Sequence, residues 1–148
     1  MDFTSVDQDN LAECAALFVK VFNNPPWNEN WEVESVALRL DDCYRTPGFI
    51  GVAVRAESEI VGFAVGYIER WDKGQHFYLK EMCVATEQQN GGVGTALLLA
   101  LEERLKAKGA EKLYLLTARD TSAQAFYEKR GFYVSPRMVM MSKWLSPK

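Results

Sequence analysis

Histidine occurs once, at His76, and cysteine three times, at Cys14, Cys43 and Cys83, in a chain of 148 residues. The cysteines are odd in number, scattered and in no CxxC spacing, so neither a structural metal site nor a disulfide framework is expected. Basic charge is also scarce: 17 lysines and arginines against 20 acidic residues leave a net charge of -3, with no dense basic stripe. Nucleic-acid affinity is dominated by phosphate neutralisation, so nucleic acid is excluded as the main partner. A mildly acidic surface suits cationic small molecules instead. No apolar run reaches about 18 residues, which excludes a helical membrane span. The opening Met1-Asp2-Phe3-Thr4 lacks a basic segment followed by an apolar one. No secretory signal is indicated, and a cytoplasmic location is expected.

What is present is a hydrophobic content of 48%, ample for one sizeable core, with no repeat, linker or low-complexity tract. Residues 1–148 are read as a single domain. A short strand is placed around Phe3 to Val6. Leu11, Cys14, Ala15, Phe18, Val21 and Phe22 then recur at helical spacing, with Asn10 and Glu13 placed like a capping box. Asn23-Asn24-Pro25-Pro26 ends that helix, because proline cannot continue the ladder and disfavours the α conformation in the residue before it. A second helix is expected from about Trp31 to Tyr44, with Val33, Val36, Ala37 and Leu40 on one face.

The middle third changes period. Phe49 to Ala56, Ile60 to Trp71 and His76 to Val84 are rich in Val, Ile, Phe and Tyr, and the polar turns between them make an antiparallel meander the natural reading. Leu97, Leu98, Leu101 and Leu105 form the apolar stripe of a third helix, which Gly109 stops. Lys112 to Thr117 reads as a buried strand, parallel to the preceding one by the right-handed crossover rule. A fourth helix runs from Ser122 to about Arg130 and ends at Gly131, and Met138 to Trp144 is read as a closing strand.

The most telling stretch lies between the meander and the third helix, at Gln89-Asn90-Gly91-Gly92-Val93-Gly94-Thr95. Three glycines within four positions let the backbone turn sharply and approach a ligand, and the following helix aims its positive end at the same point. A phosphate-bearing cofactor suits such a cradle; a ligand-free β-to-α connection is the alternative. The P-loop needs GxxxxGK followed by Ser or Thr, and the dinucleotide fingerprint needs GxGxxG with an acidic residue downstream. Neither pattern is present.

Gln89-x-x-Gly92-x-Gly94 resembles the (Arg/Gln)-x-x-Gly-x-(Gly/Ala) signature of the GNAT superfamily of acyl-CoA-dependent N-acetyltransferases. Ala123-Gln124-Ala125-Phe126-Tyr127-Glu128-Lys129-Arg130-Gly131-Phe132 is similar to the second signature of that family. The resemblance spans essentially the whole chain. It implies an α/β (α+β) GNAT fold in the order β-α-α-β-β-β-α-β-α-β, with a mixed central sheet of about six to seven strands and about four flanking helices. It also implies that residues Gln89, Asn90, Gly91, Gly92, Val93, Gly94 and Thr95 wrap the pyrophosphate of acetyl-CoA, chiefly through backbone N–H groups, so that side-chain identity matters little at Asn90 and Val93. The strand ending at Met82, Cys83 and Val84 would pair with the pantetheine arm, with the Met82 amide as oxyanion donor. Asp120 stands where many relatives have Asn, and its contact to the cofactor is left open.

Acetyl transfer needs a neutral amine as nucleophile and a proton for the departing thiolate. Tyr127 matches the family tyrosine near the cofactor sulfur, where a phenol is a suitable donor; packing the helix is its other reading. Glu81 is the leading base, sharing a strand face with Leu79 and Cys83 under period-two alternation. Its alternatives are a ligand for the cationic amine, or a rim carboxylate paired to Lys80 or Arg119. Tyr78 and His76 are weaker candidates, and Cys83 as an acyl-accepting nucleophile is disfavoured. In the segment joining the first two helices, Trp27, Glu29 and Trp31 are candidates for holding a cationic acceptor, or the tryptophans anchor the loop. The function expected is N-acetylation of a small cationic primary amine, such as an aminosugar or polyamine, by direct attack in a ternary complex. The alternatives are a protein or peptide N-acetyltransferase and a non-catalytic CoA-binding sensor; the resemblance also allows a homodimer.

Overall fold

Asp2–Ser5 (β1), Phe49–Ala56 (β2), Glu59–Arg70 (β3), Gln75–Val84 (β4) and Lys112–Tyr114 (β5) form one sheet in the order β1-β2-β3-β4-β5, antiparallel except for the parallel β4/β5 pair. The computed structural model describes residues 1–147 and divides into two compact units, Met1–Leu116 and a second from Thr117 onward. The first holds the sheet and the helices Leu11–Phe22 (α1), Val33–Tyr44 (α2) and Val93–Ala107 (α3); the second holds Ser122–Lys129 (α4). Among the described residues the result is a mixed α/β fold with five strands and four helices, a strand or two fewer than expected.

The core follows from covering the sheet on both sides. Residues Ile60 to Gly66 of β3 are buried without alternation, as a strand reads when both faces are covered. Phe63 and Val65 share a face with their cross-strand partners Cys83 and Glu81. That is the face of α1 and α2: Cys83 interacts with Cys14 of α1, and Glu81 pairs with Arg39 of α2. Gly62 lies on the opposite face, where a Cβ would stand 3.5 Å from Leu97 of α3. Phe63, Leu97, Leu98 and Leu101 are completely buried.

Several expectations change in the structure. Asn10 is not half of a capping box, since it makes no side-chain cap bond to α1. Instead it is buried, accepts from the Asp7 N–H and donates to the Ser5 carbonyl, while Glu13 accepts from the Ile60 N–H and from Arg55. Both side chains find tertiary partners that outcompete the local ones. Helix α2 begins at Val33, which is exposed, and its buried face is Val36, Leu40 and Cys43. β5 ends at Tyr114, and Met138 to Trp144 forms no strand among the described residues. β structure is defined by pairing, and composition alone does not make a strand.

The most consequential irregularity is in β4. Val65 lies opposite Glu81 and Gly66 opposite Leu79, so Lys80 is an extra residue, a β-bulge. Leu79 and Glu81 therefore point to opposite faces, and Glu81 shares its face with Cys83 but not with Leu79 as alternation had suggested.

Candidate functional site

The glycine turn is built by backbone conformation. After the Thr86–Gln88 turn of 3-10 helix, Asn90 and Gly92 take left-handed φ values of 67° and 84°, and Gly92 is the N-cap of α3. A Cβ at Gly92 would meet nothing within 4 Å, so the space beside the turn is open. Gly92, as N-cap, offers no side chain to cap α3. The 15 residues of α3 aim the positive end of the helix at this opening, the arrangement that receives phosphate. Residues Gly94 and Thr95 fall in the first helical turn; Gln89 and Gly91 are exposed. The side chains at Asn90 and Val93 are not indifferent, contrary to expectation: Asn90 sits where few residues are tolerated, and Val93 is buried in the core. Beside the turn, backbone N–H bonding and Lys20 of α1 hold the exposed Glu87 carboxyl below its ordinary range.

The adjoining edge of β4 has an orientation that can be derived from one bond. The Ala85 N–H donates to Val61 of β3 at 2.8 Å, so by alternation the polar groups of Val84 and Met82 point to the other edge. Gln89 Nε2 donates to the Val84 carbonyl on that side at 2.9 Å. β5 pairs with β4 only at His76, Phe77 and Tyr78. Beyond them the Met82 and Val84 edge is left without a strand among the described residues. An extended amide-bearing chain could bond there and continue into the glycine turn. Cys83 points inward, and burial pushes its thiol well above its ordinary pKa. Cys14 and Cys43 are likewise buried and pushed up, to about 12 and about 11.

Glu81 lies on the α1/α2 face with its side chain 10% exposed. Burial raises its pKa, and the Arg39 guanidinium, hydrogen-bonded through Nε to Oε1 at 2.6 Å, pulls the other way together with Lys80. Its ion-pair partner within the first unit is thus Arg39, not Lys80. The guanidinium in turn lies over the Trp31 ring at 5.3 Å, and Trp31 Nε1 donates to Glu29 Oε1 at 2.6 Å. Arg39 escapes a reading of the sequence because it flanks, and does not occupy, the apolar stripe of α2. Its position three residues after Val36 is the one available signal.

The loop between α1 and α2 is pinned. Asn23 clamps Trp31 twice, accepting from its N–H and donating to its carbonyl, and the Glu29 N–H reaches the Phe22 carbonyl. Trp31 packs edge-on to Phe18, and Trp27 packs on Phe22 at 5.4 Å. Trp31 and Glu29 therefore join Glu81 through Arg39, whereas Trp27 packs locally. His76 stacks on Trp71 and Tyr78 on Tyr114.

In the second unit, Thr121 caps α4 by accepting from the Gln124 N–H, and Asp120 takes a left-handed φ of 60° while its N–H donates to Gln124 Oε1. That conformation suits Asp and Asn alike. Tyr127 packs between Phe126 and Phe132, at ring separations of 5.2 and 5.3 Å. Gly131, at φ 93°, lets the Phe132 N–H turn back to the Tyr127 carbonyl. A recess of about 310 Å³, lined by Pro47, Gly48, Ile68, Arg70, Gln75 and Lys108, holds none of the candidate residues.

Residues 16–132 match the family described as Acetyltransferase (GNAT) family. Uncharacterized protein YdhI of Bacillus subtilis (strain 168) is 32% identical over 125 residues, covering 80% of this chain and 73% of that protein. The solved structure of a probable acetyltransferase superposes with a TM-score of 0.80 at 22% identity over 100% of both chains. An aminoglycoside acetyltransferase from an uncultured soil metagenomic sample, in complex with sisomicin, gives a TM-score of 0.75 at 19% identity over 98% of this chain and 96% of that one. An aminoglycoside N-acetyltransferase in complex with CoA gives 0.76 at 16% identity over 96% and 93%.

Proposed function

Because the chain belongs to the GNAT acetyltransferase family, we propose that it transfers an acetyl group from acetyl-CoA to a small cationic primary amine, such as an aminosugar or polyamine. The observation that carries this reading is the Met82 and Val84 edge, without a neighbouring strand among the described residues, running into the glycine-capped N-terminus of α3, with Glu81 on the neighbouring face. The two structural neighbours that act on aminoglycosides support a small cationic acceptor. A cytoplasmic location and a homodimer formed through the C-terminal segment belong to the same reading. The exposed Val139, Met141 and Leu145 support the second.

Bound acetyl-CoA supplies an activated thioester. The first-turn amides of α3 and the turn from Gln89 hold its pyrophosphate, and the Met82 N–H donates to the oxygen that gains charge as the amine adds. Glu81 takes the proton from the attacking amine, directly or through a water. Tyr127 is assigned from its place in the Ala123 to Phe132 motif as the donor to the sulfur as the C–S bond breaks, so that charge balances.

A thiol-release assay with acetyl-CoA against aminoglycosides, polyamines, amino acids and peptides tests the reading. Turnover is expected with a cationic amine, and Tyr127→Phe is expected to lower kcat by about 100-fold with CoA affinity unchanged. Saturable CoA binding without thiol release for any amine would leave a non-catalytic CoA-binding domain, and preference for peptides would leave a protein acetyltransferase.

The pH profile tests Glu81 separately. It acts only when ionised, and burial raises its pKa. Activity should therefore fall on acidification at a pH above the ordinary glutamate range, and recover as pH rises. Removing the Arg39 cation in Arg39→Gln takes away the main influence opposing burial, so the acidic limb of kcat/KM should move to higher pH. A limb that stays in place sinks the role of Glu81 as base.

A further inference from the structure

The face that carries Glu81 continues toward the far end of β3 and β4 with an unusual set of side chains. Tyr67 lies opposite Tyr78, Glu69 opposite His76, and Tyr78 opposite Tyr114, so all five share that face. Tyr78 and Tyr114 stack with centroids 4.9 Å apart and planes 14° from parallel, and Tyr67 meets Tyr78 edge-on at 5.7 Å. Trp71, in the exposed turn after β3, stands edge-on to Tyr114 at 6.5 Å. A core would explain tyrosines; it does not explain a carboxylate among them.

Glu69 is that carboxylate. Tyr114 Oη donates to its Oε1 at 2.6 Å, and Trp71 Nε1 to the same oxygen at 3.4 Å. No described residue donates to Oε2, and no cationic side chain among them pairs with Glu69. The negative charge is thus held in place by two aromatic donors with one oxygen left for a ligand. Tyr78 is already occupied, with Tyr114 stacked on it and the Lys80 ammonium 6.0 Å from its ring centroid, and Trp71 has His76 on one face, which leaves the second faces of Trp71 and Tyr114 for the ligand. A fixed carboxylate walled by electron-rich rings is the recognition chemistry of an alkylammonium group. Burial and the neighbouring carboxylate push the Tyr114 phenol upward, so it remains a donor and does not add a second negative charge.

We propose that Glu69 and the rings of Tyr114 and Trp71 form a distal subsite for a second ammonium group of the acceptor. The preferred substrate is then an elongated amine bearing at least two positive charges. Val65, opposite Glu81, and Glu69 are four residues apart on β3, about 13 Å along the strand. One end of the acceptor rests on Glu69 while the other presents its amine beside Glu81; the inference rests on the acetyl-transfer reading for that second end only.

The test compares straight-chain α,ω-diamines of increasing length with monoamines of matching length, in the protein and in Glu69→Gln. KM for the diamines should be lowest where their nitrogens span about 13 Å. Glu69→Gln should raise that KM by about 10-fold with kcat unchanged, and leave the monoamines unaltered. Trp71→Ala, a change in an exposed turn, should act in the same direction and guards against misfolding of the strand variant. Titration calorimetry with a bis-quaternary ammonium, which cannot be acetylated, reads the subsite without turnover. Weaker binding in Glu69→Gln supports the subsite even if no amine is acetylated, a result that would fail the acetyl-transfer reading alone. Unchanged quaternary ammonium binding in Glu69→Gln, or equal effects on monoamines and diamines, overturns the proposal.

Discussion

Gly92→Glu should abolish CoA binding, weakening it by at least about 100-fold, or roughly 2.7 kcal/mol, while leaving the protein folded. Folding should survive because a Cβ at Gly92 meets nothing within 4 Å. The backbone cost of placing a side chain at φ 84° is about 1 to 2 kcal/mol. Binding should not survive, because the new carboxylate lies at the helix N-terminus, where it can accept from the amides that the pyrophosphate would use and repel that group. Gly92→Ala separates the two effects, since it imposes the backbone cost without the charge and should lower CoA affinity by less than 10-fold. Titration calorimetry with CoA on both variants makes the comparison. Undiminished affinity in Gly92→Glu would remove the turn from the cofactor site.

Gly66→Ala should be the most destabilising methyl addition near the site, by about 3 kcal/mol or about 9 °C in melting temperature. A Cβ there would collide with the Tyr78 carbonyl oxygen and approach Phe77 Cζ to 2.8 Å. Backbone cannot yield as a flexible side-chain tip can, so the β3/β4 ladder itself must shift. Gly66 lies opposite Leu79, at the register change that creates the Lys80 bulge and turns Glu81 toward α2. Any variant protein that folds should therefore lose activity as well. Calorimetric melting checks the first effect, and a melting temperature within about 2 °C of the parent would show that the bulge tolerates rearrangement.

The difference between these two glycines shows what was legible beforehand. Gly92 is announced by its neighbours, because a glycine cluster between a β-rich run and a leucine-rich run is a local signal. Gly66 is an unremarkable residue within a strand, and its necessity comes from the carbonyl of Tyr78 on another strand. Arg39 and Glu69 were missed for the same reason. Each is an ordinary charged residue until a partner distant in sequence, Glu81 or Tyr114, is brought to 2.6 Å. The capping-box reading of Asn10 and Glu13 failed in the converse way: a sound local pattern was overridden by Ser5, Arg55 and Ile60.

Local chemistry alone determined the helices α1 and α3, the limits of β2 at Phe49 and Ala56, the stops at Gly109 and Gly131, the glycine turn and the second motif at Ala123 to Phe132. These depend on spacing, capping and φ preference within a few residues, which the chain carries wherever it goes. Tertiary structure alone decided the direction of Glu81, its pairing with Arg39, the carboxylate among the tyrosines and the edge at Met82 and Val84 that no strand among the described residues covers. Those depend on one inserted residue and on the point where β5 stops pairing, and neither changes the composition of the strand in which it acts.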